Sequence, residues 1–534
     1  MKRMTALALI LTLAVSLTAC GKKAETQEAG QTTYDGATAI LLSDDGITVD
    51  GQPASTDETA AVYTANDIVF YLEGQGIAYG EGTEDDEHSQ AEADAHTVVH
   101  ITRPGTYVLS GSLSAGQVAV DLGEDAEEDP NAVVTLILNG ADITCTVAPA
   151  VIFYNVYECG STDTETAVKD VDTSAAGANV TIADGTVNNI TGSYVARIYK
   201  PDSVELSEDG TEVVESKKLH KYDGAFYSKM SMNVDGGEQG NGVLNITAEN
   251  EGLDSELHLT VNGGNINITS GNDGINTNED GVSVTTINGG LLTIDVDGAT
   301  GEGDGIDSNG WLVINGGTVL TAACGSSQDA GIDSDNGIYI NGGTVAASGN
   351  MLDRIDGGDQ PYVVFSFRQR QQGGTTVTLK TEDGSTAGEW TPVNDFTYLV
   401  VSGPDLTEGT YTLWSGETQL AGAAGMTGGR GMGGFRPDGA EPPEGFEMLE
   451  GMEPPKGDLG RQPGKEWPQH NEDGTITLPD GTVIAPSELK RPEDGEHPMR
   501  PGGEGSENME DVEVGTDFVL TAEGGTFGNI SAAE

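Results

Sequence analysis

The chain has 534 residues, of which 24 are lysine or arginine and 87 are aspartate or glutamate, so its formal net charge at pH 7 is −63. This charge argues strongly against nucleic-acid binding, because phosphate backbones require a basic protein surface. Aromatic residues make up 5% of the chain, which suits a core of isoleucine, valine, leucine and small residues better than an ordinary globular core.

The N-terminus has the features of a bacterial lipoprotein signal. Two basic residues precede an apolar stretch that ends in Leu17-Thr18-Ala19-Cys20, which looks like a lipobox. We predict that residues 1–19 are a cleaved signal peptide, that Cys20 carries lipid, and that residues 20–60 form a flexible linker. No later stretch is long and apolar enough to span a bilayer. The predicted location is therefore the extracellular face of the cell membrane, with the lipid as the membrane anchor.

Three cysteines follow Cys20, at Cys145, Cys159 and Cys324. An odd number does not describe a disulfide framework. Cys145 and Cys159 are able to pair in an oxidising exterior, but a free cysteine also packs well as a small apolar residue. The sequence favours structural thiols and leaves this pairing open.

Residues 61–360 are predicted to form one domain of short strands. Three early segments alternate apolar and polar residues as half-buried strands do. These segments are 105–111, 133–140 and 180–185. They look like irregular first turns of the repeat that follows them.

A repeat with a period of about 26 residues begins near Met232. The tripeptide Asn-Gly-Gly recurs, and a second motif of the form Gly-Ile-Asp-Ser recurs between its copies. The tripeptide starts at Asn262, Asn288, Asn315 and Asn341, with Asp235-Gly236-Gly237 as a degenerate first copy, and the second motif lies at 252–255, 274–277, 305–308 and 331–334. Two interleaved motifs in a fixed order predict a coil.

The period also predicts the kind of coil. It is too short for a βαβ unit and lacks a helical pattern, but it accommodates three short strands and three turns. Turns stacked about 4.8 Å apart pair each strand with its counterparts above and below. The predicted fold is all-β, a right-handed parallel β-helix, with glycines at the corners and the four asparagines stacked as an amide ladder.

Acidic residues of the second motif are the candidate metal ligands. In stacked turns their carboxylates lie about 5 Å apart and repel by roughly 1 kcal/mol in water, or 3 to 4 kcal/mol at an effective dielectric of 20. Calcium relieves such repulsion and accepts six to eight oxygens in loose geometry. The predicted ligands are Asp254, Asp273, Asn276, Asp304, Asp307, Asp333 and Asp335. The alternative is that these are solvated turn residues without a metal.

The C-terminal third changes character twice. Residues 361–420 contain two aromatic-rich strands, at 362–367 and 396–401, and are predicted to be a β cap on the coil. The acidic Gly/Pro/Met-rich stretch 421–512 cannot bury enough apolar area to offset its ordering entropy, so we predict a disordered insertion. A strand pattern resumes at Phe518, and residues 513–534 are predicted to return and pair with the folded body.

The order of these motifs resembles a known family. The matching segments are Gly105-Thr106-Tyr107-Val108-Leu109-Ser110-Gly111, the stretch 134–143, the repeats, and Gly409-Thr410-Tyr411-Thr412-Leu413. They resemble bacterial secreted carbohydrate-binding domain proteins, whose clostridial example is a calcium-binding β-helix similar to polysaccharide lyases. The resemblance covers residues 95–420 and the terminal strand, and it implies binding of cellulose and acidic sugars more firmly than catalysis.

The predicted function is therefore non-catalytic polysaccharide binding by a tethered monomer. A calcium ion with an open coordination position bridges protein carboxylates and a uronate, as in polygalacturonate. Trp311 and Tyr339 are the candidate stacking faces for neutral sugars, although partial burial at a corner is the commoner fate of such residues. An adhesin or structural protein of the cell envelope is the alternative function.

A calcium-dependent, pectate-type lyase is the second alternative. That reaction needs a base, which is a lysine or arginine beside the metal in the enzymes that share this architecture. Between Lys229 and Arg354 the sequence has neither residue, and His258 is expected on a solvated face. The lysines and arginines that flank this stretch qualify only if the fold brings one of them to the metal. We therefore predict no enzymatic activity.

Overall fold

The computed structural model describes residues 34–425, 514–522 and 524–533, and the backbone of three short strands between 469 and 484. Cys20 and the predicted signal peptide lie outside the described residues, as does most of the predicted disordered insertion. The chain forms two compact units. The first contains the described residues up to Tyr362 together with Arg370–Thr375 and Trp390–Thr407, and the second contains Val363–Gln369, Thr376–Glu389 and the described residues from Glu408 onward.

The described residues are almost entirely β-structure, so the all-β prediction is confirmed. Their helical segments are the five-residue helix Gln90–Asp94 and the short 3-10 turns Glu124–Glu128 and Pro201–Ser203. None of the described helices has the length and apolar character that crossing a membrane requires.

The strands fall into three groups along the chain. Before the repeat they are β1 Thr38–Leu42, β2 Thr48–Val49, β3 Gln52–Pro53, β4 Val62–Ala65, β5 Thr97–Ile101, β6 Gly105–Leu113, β7 Gly116–Val120, β8 Val134–Thr144, β9 Val151–Phe153, β10 Ala178–Ile182, β11 Val187–Gly192, β12 Val195–Tyr199, β13 Glu205–Leu206, β14 Val213–Glu215, β15 Lys218–Tyr222 and β16 Gly224–Ser228. Within the repeat they are β17 Met232–Asp235, β18 Val243–Ala248, β19 Glu251–Ser255, β20 Leu259–Val261, β21 Asn265–Ser270, β22 Ile275–Thr277, β23 Val284–Ile287, β24 Leu291–Val296, β25 Ile306–Ser308, β26 Trp311–Ile314, β27 Thr318–Ala322, β28 Gly337–Ile340, β29 Thr344–Gly349 and β30 Ile355–Gly357. After it they are β31 Tyr362–Gln371, β32 Val377–Thr381, β33 Thr386–Trp390, β34 Phe396–Ser402, β35 Gly409–Ser415, β36 Thr418–Ala424, β37 Gln469–His470, β38 Ile476–Thr477, β39 Val483–Ile484, β40 Val514–Gly515, β41 Asp517–Leu520 and β42 Gly525–Ala532.

Successive turns of the repeat add strands to three parallel columns. Strands β19, β20 and β21 follow one another in one turn, and β22, β23 and β24 follow in the same order in the next. Each strand pairs in parallel with its counterpart, β19 with β22, β20 with β23 and β21 with β24. Equivalent positions of successive repeats therefore lie side by side.

The register of these columns builds the core. Ile266 pairs with Leu292, Leu292 with Val319, and Val319 with Val345, and all four are at most 1% exposed. Full burial of such a side chain contributes about 1.5–3 kcal/mol. Because one turn alone cannot bury these residues, each turn depends on its neighbours for stability.

The Asn-Gly-Gly turns form the predicted amide ladder. The side-chain Nδ2 of Asn288 donates to Asn262 Oδ1 at 2.9 Å, Asn315 Nδ2 donates to Asn288 Oδ1 at 2.9 Å, and Asn341 Nδ2 donates to Asn315 Oδ1 at 2.8 Å. The ladder is thus confirmed.

The parallel columns begin earlier than the sequence suggested. Strand β1 pairs in parallel with β6, with Ile40 beside Leu109, although 20–60 was predicted to be a flexible linker. Ile40 and Leu42 are at most 1% exposed, so this strand has apolar side chains to bury. Residues 38–53, which include β1 to β3, are therefore structured and are not linker.

Strand β29 is covered by a strand from beyond the repeat. In the first unit β34 pairs with it antiparallel, with Ala347 beside Val400, which protects an edge that would otherwise be open to further pairing. The three cysteines after Cys20 are free thiols, and Cys145 and Cys324 are buried.

The second unit consists mainly of antiparallel strand pairs, with one parallel pair, β31 with β42. Strand β35 pairs with β32 and with β41, and β36 pairs with β42. The ring of Phe518 stacks on those of Tyr411 and Phe527. Strands β41 and β42 come from the terminal segment, while β37 to β39 form a small antiparallel sheet within the range predicted to be disordered.

Candidate functional site

Three parallel strands align copies of the second motif into a column, and β16 pairs in parallel with the first of them. Register pairs Tyr227 with Asp254, Asp254 with Asn276, and Asn276 with Asp307 along β16, β19, β22 and β25. The main-chain nitrogen of Asp333 donates to Ile306 O at 2.8 Å, which continues the column by one turn. The stacking of Asp254, Asn276, Asp307 and Asp333 inferred from the spacing is therefore present.

Three carboxylates meet at the start of this column. Asp223, Glu251 and Asp254 each offer an oxygen, and these oxygens all lie within 4.8 Å of one another. Their residues are 8%, 6% and 0% exposed, respectively. Asp223 directly precedes β16, and the other two lie on β19, the adjoining strand of the same sheet.

The cluster contains buried oxygens without a hydrogen-bond partner. Glu251 Oε2, Asp254 Oδ2 and Asn276 Oδ1 have none among the described residues. Other atoms of the same groups are bonded, since Asn276 Nδ2 donates to Glu251 Oε1 at 3.1 Å and Asn278 Nδ2 donates to Asp254 Oδ1 at 2.8 Å. A buried unsatisfied polar group costs about 1–3 kcal/mol, so three in one place call for a ligand.

Burial and mutual repulsion raise the pKa values of these acids. Burial is the main cause of the raised pKa of Glu251, with Asp254 and Asp223 adding to it. The pKa of Asp254 is raised well above its usual value by burial and then by Asp223. For Asp223, burial raises the pKa and the Lys221 ammonium partly offsets the rise.

Two lysines of strand β15 lie at the edge of the cluster. Lys221 Nζ is 2.6 Å from Asp223 Oδ2, and Lys218 Nζ is 3.0 Å from Glu256 Oε1. Three cluster carboxylates against the Lys221 ammonium leave two negative charges when all are ionised. A divalent cation neutralises this charge.

The donor set fits calcium. Two oxygens on opposite sides of a calcium ion lie roughly 5 Å apart, because each calcium–oxygen distance is about 2.3–2.6 Å. The oxygens of the three carboxylates lie within 4.8 Å of one another, so their spacing allows them to share one calcium ion. The Asn276 amide oxygen adds a neutral ligand of the kind that calcium accepts. Asp223, Glu251, Asp254 and Asn276 are therefore the residues that would hold the ion.

Two other predicted ligands use their carboxylates to connect turns. Asp273 Oδ1 accepts from the main-chain nitrogen of Asp304 at 2.6 Å, and Asp304 Oδ1 accepts from that of Ala330 at 2.5 Å. Burial raises the pKa of Asp273 to about 7 despite this bond, and the pKa of Asp304 is raised well above its usual value by burial and by Asp273. These carboxylates form a second column beside the first.

The remaining predicted ligands lie farther along the sheet. Burial, followed by Asp273, raises the pKa of Asp307 to about 7, and burial, followed by Asp353, raises that of Asp333 to about 7. Asp335 is exposed. The structure does not bring these three into the group that contains Asp223.

The two predicted stacking residues lie on the sheet that carries the amide ladder. Trp311 is the first residue of β26 and Tyr339 lies on β28, and both are partly exposed. The Lys169 ammonium lies 5.0 Å from the centroid of the Tyr339 ring. A cation therefore covers this ring, which leaves less of it for sugar stacking.

Sequence reasoning missed two members of the cluster. An acidic residue directly precedes the glycine of the second motif in three copies, at Glu251, Asp273 and Asp304. This pattern could have identified Glu251 as a candidate ligand. Asp223 precedes β16, one turn before the recognisable repeat.

His258 was expected on a solvated face, and this prediction is wrong. The residue is 1% exposed, and its Nε2 lies 3.2 Å from Ser161 O. The segment around Ser161, which lies outside the repeat, covers a position that the alternation alone would leave open.

The described residues thus define an all-β repeat protein with parallel-paired strands and a buried, oxygen-rich cluster. The chain belongs to the family of carbohydrate-binding domain-containing proteins, whose family model matches residues 95–384. This range contains the cluster and the whole Asn-Gly-Gly series.

Comparison with known proteins gives one similar sequence and one similar structure. A carbohydrate-binding domain-containing protein of Acetivibrio thermocellus is 25% identical over 268 residues, which are 50% of this chain and 65% of the relative, so less than two thirds of that relative is matched. The gadolinium derivative of the polysaccharide lyase-like protein from C. thermocellum is 18% identical, covers 57% of this chain and 92% of its own, and has a TM-score of 0.30. A TM-score this low supports no structural argument.

Proposed function

We propose that this chain is a non-catalytic carbohydrate-binding protein that holds polysaccharide through a calcium ion. The ion is bound by Asp223, Glu251, Asp254 and Asn276. The observation that carries the proposal is the group of three buried, unpartnered oxygens on Glu251, Asp254 and Asn276. Membership of a carbohydrate-binding domain family supports the class of ligand.

The fold that presents this site is a right-handed parallel β-helix. The parallel in-register pairing of β19 with β22 and of β22 with β25 supports it, as does the succession of three strands in each turn. In such a coil the strands that carry the cluster form one face, so successive turns offer successive contacts to an extended polymer.

An acidic polysaccharide is the ligand that best fits a calcium bridge. The protein and a polyuronate both carry negative charge and repel each other without a cation. A calcium ion held by the cluster would supply a coordination position for a uronate oxygen and so link the two anions. Polygalacturonate is the corresponding test ligand.

A calcium titration tests the metal site. Calcium added to chelator-treated protein should raise the melting temperature, because a ligand at 100 times its Kd stabilises a folded protein by about 2.7 kcal/mol. Asp254→Asn should remove most of the shift, and Glu302→Gln, which removes a charge from an exposed side chain, should keep it. An unchanged melting temperature at millimolar calcium would end the proposal.

Retention on immobilised polygalacturonate tests the function itself. The wild-type protein should be retained in calcium and released by a strong chelator, and Asp254→Asn should pass through in both. Retention that survives the chelator unchanged rules out the calcium bridge.

A lyase is the second candidate, because the fold brings Lys221 within 2.6 Å of a cluster carboxylate. Burial alone would lower the pKa of Lys221, but the charge and hydrogen bond of Asp223 together with the charges of Glu251 and Asp254 leave this pKa raised. An amine that retains its proton is a poor base. An ultraviolet assay for unsaturated products from polygalacturonate should therefore stay flat. An ultraviolet absorbance increase that the wild-type protein gives and Lys221→Met does not would establish lyase activity instead.

The cellular setting is part of the proposal. The lipobox-like Leu17-Thr18-Ala19-Cys20 supports lipid attachment at Cys20 and tethering at the extracellular face of the membrane. Metabolic labelling with a lipid analogue should mark the wild-type protein and not Cys20→Ala.

A further inference from the structure

A concave surface lies on the sheet that carries the amide ladder, apart from the carboxylate cluster. It has a volume of about 540 Å³ and is lined by the loop 169–174 and by residues of successive turns. Of these, Asn262, Asn288 and Asn315 are exposed, whereas Asn233, Thr260, Thr286 and Val313 are at most 9% exposed. This volume lies within the range of about 300–1,000 Å³ that is typical of small-ligand pockets. We call it the ladder groove.

The floor of the ladder groove consists of two parallel columns of side chains. The first column is Asn233, Thr260, Thr286 and Val313, and its register continues to Tyr339 beyond the lining residues. The second is the part of the amide ladder formed by Asn262, Asn288 and Asn315. Both columns advance by one strand spacing, about 4.8 Å, per turn.

The loop forms a wall along these columns. At one end Thr173 Oγ1 donates to Asn233 Oδ1 at 2.7 Å and lies 2.7 Å from Thr260 Oγ1. At the other end Lys169 lies over the ring of Tyr339. The four residue steps from Lys169 to Thr173 span about three turns, since an extended chain covers about 3.3 Å per residue. The loop therefore runs along the groove, across the strands.

The floor offers hydrogen-bonding groups at a regular spacing. A side-chain amide has two N–H donors and an oxygen with two lone pairs, and each ladder bond uses one donor and one lone pair. An interior ladder residue such as Asn288 therefore has a second N–H and a second lone pair beyond the ladder. Thr286 adds a hydroxyl on the neighbouring column. Amides and hydroxyls are the partners that sugar hydroxyls require.

The charges around the groove select against an anionic ligand. The charged lining residues are Lys169, Asp170, Asp172 and Asp235, and Lys169 Nζ lies 2.6 Å from Asp170 Oδ1. Three carboxylates against one ammonium repel a uronate. A neutral ligand does not face this penalty.

We propose that the ladder groove binds an extended, neutral, hydroxyl-rich sugar chain, whose successive pyranose units contact successive turns. This site is distinct from the calcium cluster and needs no metal. It relies on the family's carbohydrate binding and not on the calcium proposal, so either proposal can fail without the other.

A second amide ladder supplies a matched control. Asn245 Nδ2 donates to Asn189 Oδ1 at 2.9 Å, and Asn267 Nδ2 donates to Asn245 Oδ1 at 2.9 Å. Asn245 is thus an interior ladder residue like Asn288, but it lies on β18 and does not line the groove. Alanine at either position breaks an amide ladder, and only Asn288→Ala removes a groove contact.

Calorimetric titration in a strong chelator, with cellohexaose, xylohexaose and mannohexaose in turn, tests the proposal. At least one hexaose should bind the wild-type protein. Asn288→Ala and Thr286→Val should weaken its affinity by about tenfold or more, which corresponds to about 1.4 kcal/mol, and Asn245→Ala should leave it unchanged. Thr286→Val keeps the ladder intact, so it reports on the groove even if Asn288→Ala folds poorly.

Two results would overturn the ladder groove as a sugar site. One is that none of the three hexaoses binds the wild-type protein. The other is that Asn245→Ala weakens binding as much as Asn288→Ala, which would place the effect in the fold. The Asn288→Ala variant should be retained on polygalacturonate in calcium as well as the wild type is. If the variant is not retained, the ladder groove and the carboxylate cluster are not separate binding sites.

Discussion

At the scale of single residues, the buried acids make stability depend on pH. Asp333 has a pKa of about 7 in the folded protein and about 3.9 in an unfolded chain, so the folded state holds the additional proton. Its stabilising contribution is complete below about pH 4 and is lost as the pH rises through 7. Asp273 and Asp307 have pKa values raised to about 7 as well and act in the same direction.

The metal-free protein should therefore lose stability as the pH rises from about 5 to 8. Urea unfolding in a chelator should show this fall, and Asp333→Asn should reduce it by on the order of 1 kcal/mol or more, because the amide has no proton to lose. Asp297→Asn changes an exposed residue and should leave the slope as it is. A wild-type stability that rises over this range contradicts the prediction.

Glu251→Gln should have opposite effects without and with calcium. In a chelator it should stabilise the protein wherever the Glu251 carboxylate is ionised, because it then removes a buried charge near Asp254 and Asp223. In calcium it should destabilise the protein relative to wild type, since a ligand is lost. Melting temperatures of the two proteins in both buffers measure this crossover, and Glu302→Gln should give neither effect. Curves that do not cross would mean that Glu251 is not a ligand.

Part of the site was predictable from residue types and spacing. The interval between copies of the second motif placed Asp254, Asn276 and Asp307 in one column, and the strands have that register. Spacing did not reveal which of these residues meet a carboxylate from another turn. Asp223 and Lys221 come from a stretch without periodicity, so only the folded chain brings them to the column.

At the scale of elements, the two glycines of each Asn-Gly-Gly turn have different roles. The second glycine has a positive φ, +94° at Gly264 and +87° at Gly290, which side-chain-bearing residues seldom adopt. A Cβ on Gly264 would lie 2.6 Å from Ile182 Cδ1, whereas one on Gly263 would meet nothing nearer than 3.4 Å.

Gly264→Ala should therefore cost about 2 kcal/mol or more, and Gly263→Ala less than about 1 kcal/mol. Urea unfolding of the two variants at fixed calcium measures the difference. Equal losses would show that turn strain does not determine which residue this corner accepts.

Periodicity predicted elements well where the repeat is regular and poorly elsewhere. Strands β19 to β29 follow from alternation and turn glycines. Strand β1 was hidden in a polar N-terminal stretch, and the loop 169–174 has no pattern that places it over the amide ladder. These elements depend on contacts distant in sequence, such as that between Thr173 and Thr260, which no local pattern contains.

At the scale of the whole molecule, each of the two units has its own core. The first contains the apolar columns and the carboxylate cluster of Asp223, Glu251 and Asp254. The second contains the rings of Phe365, Tyr411, Phe518 and Phe527. The sequence predicted that a terminal strand would return to the body, since an alternating pattern resumes at Phe518. It could not show that this strand joins β35, because pairing partners are a property of the assembled sheet.

Calorimetry of the full chain should distinguish the two cores. Calcium should raise the unfolding temperature of the first unit, since the cluster lies within it. Phe518→Ala should lower that of the second, because truncating a buried phenylalanine costs about 3–5 kcal/mol and Phe518 is 2% exposed. Val519→Ala is the matched control, since its side chain is on the same strand and 62% exposed, and it should move neither transition. If calcium and Phe518→Ala both shift the temperature of one common unfolding transition, the two cores unfold together. The chain is then a single cooperative thermodynamic unit.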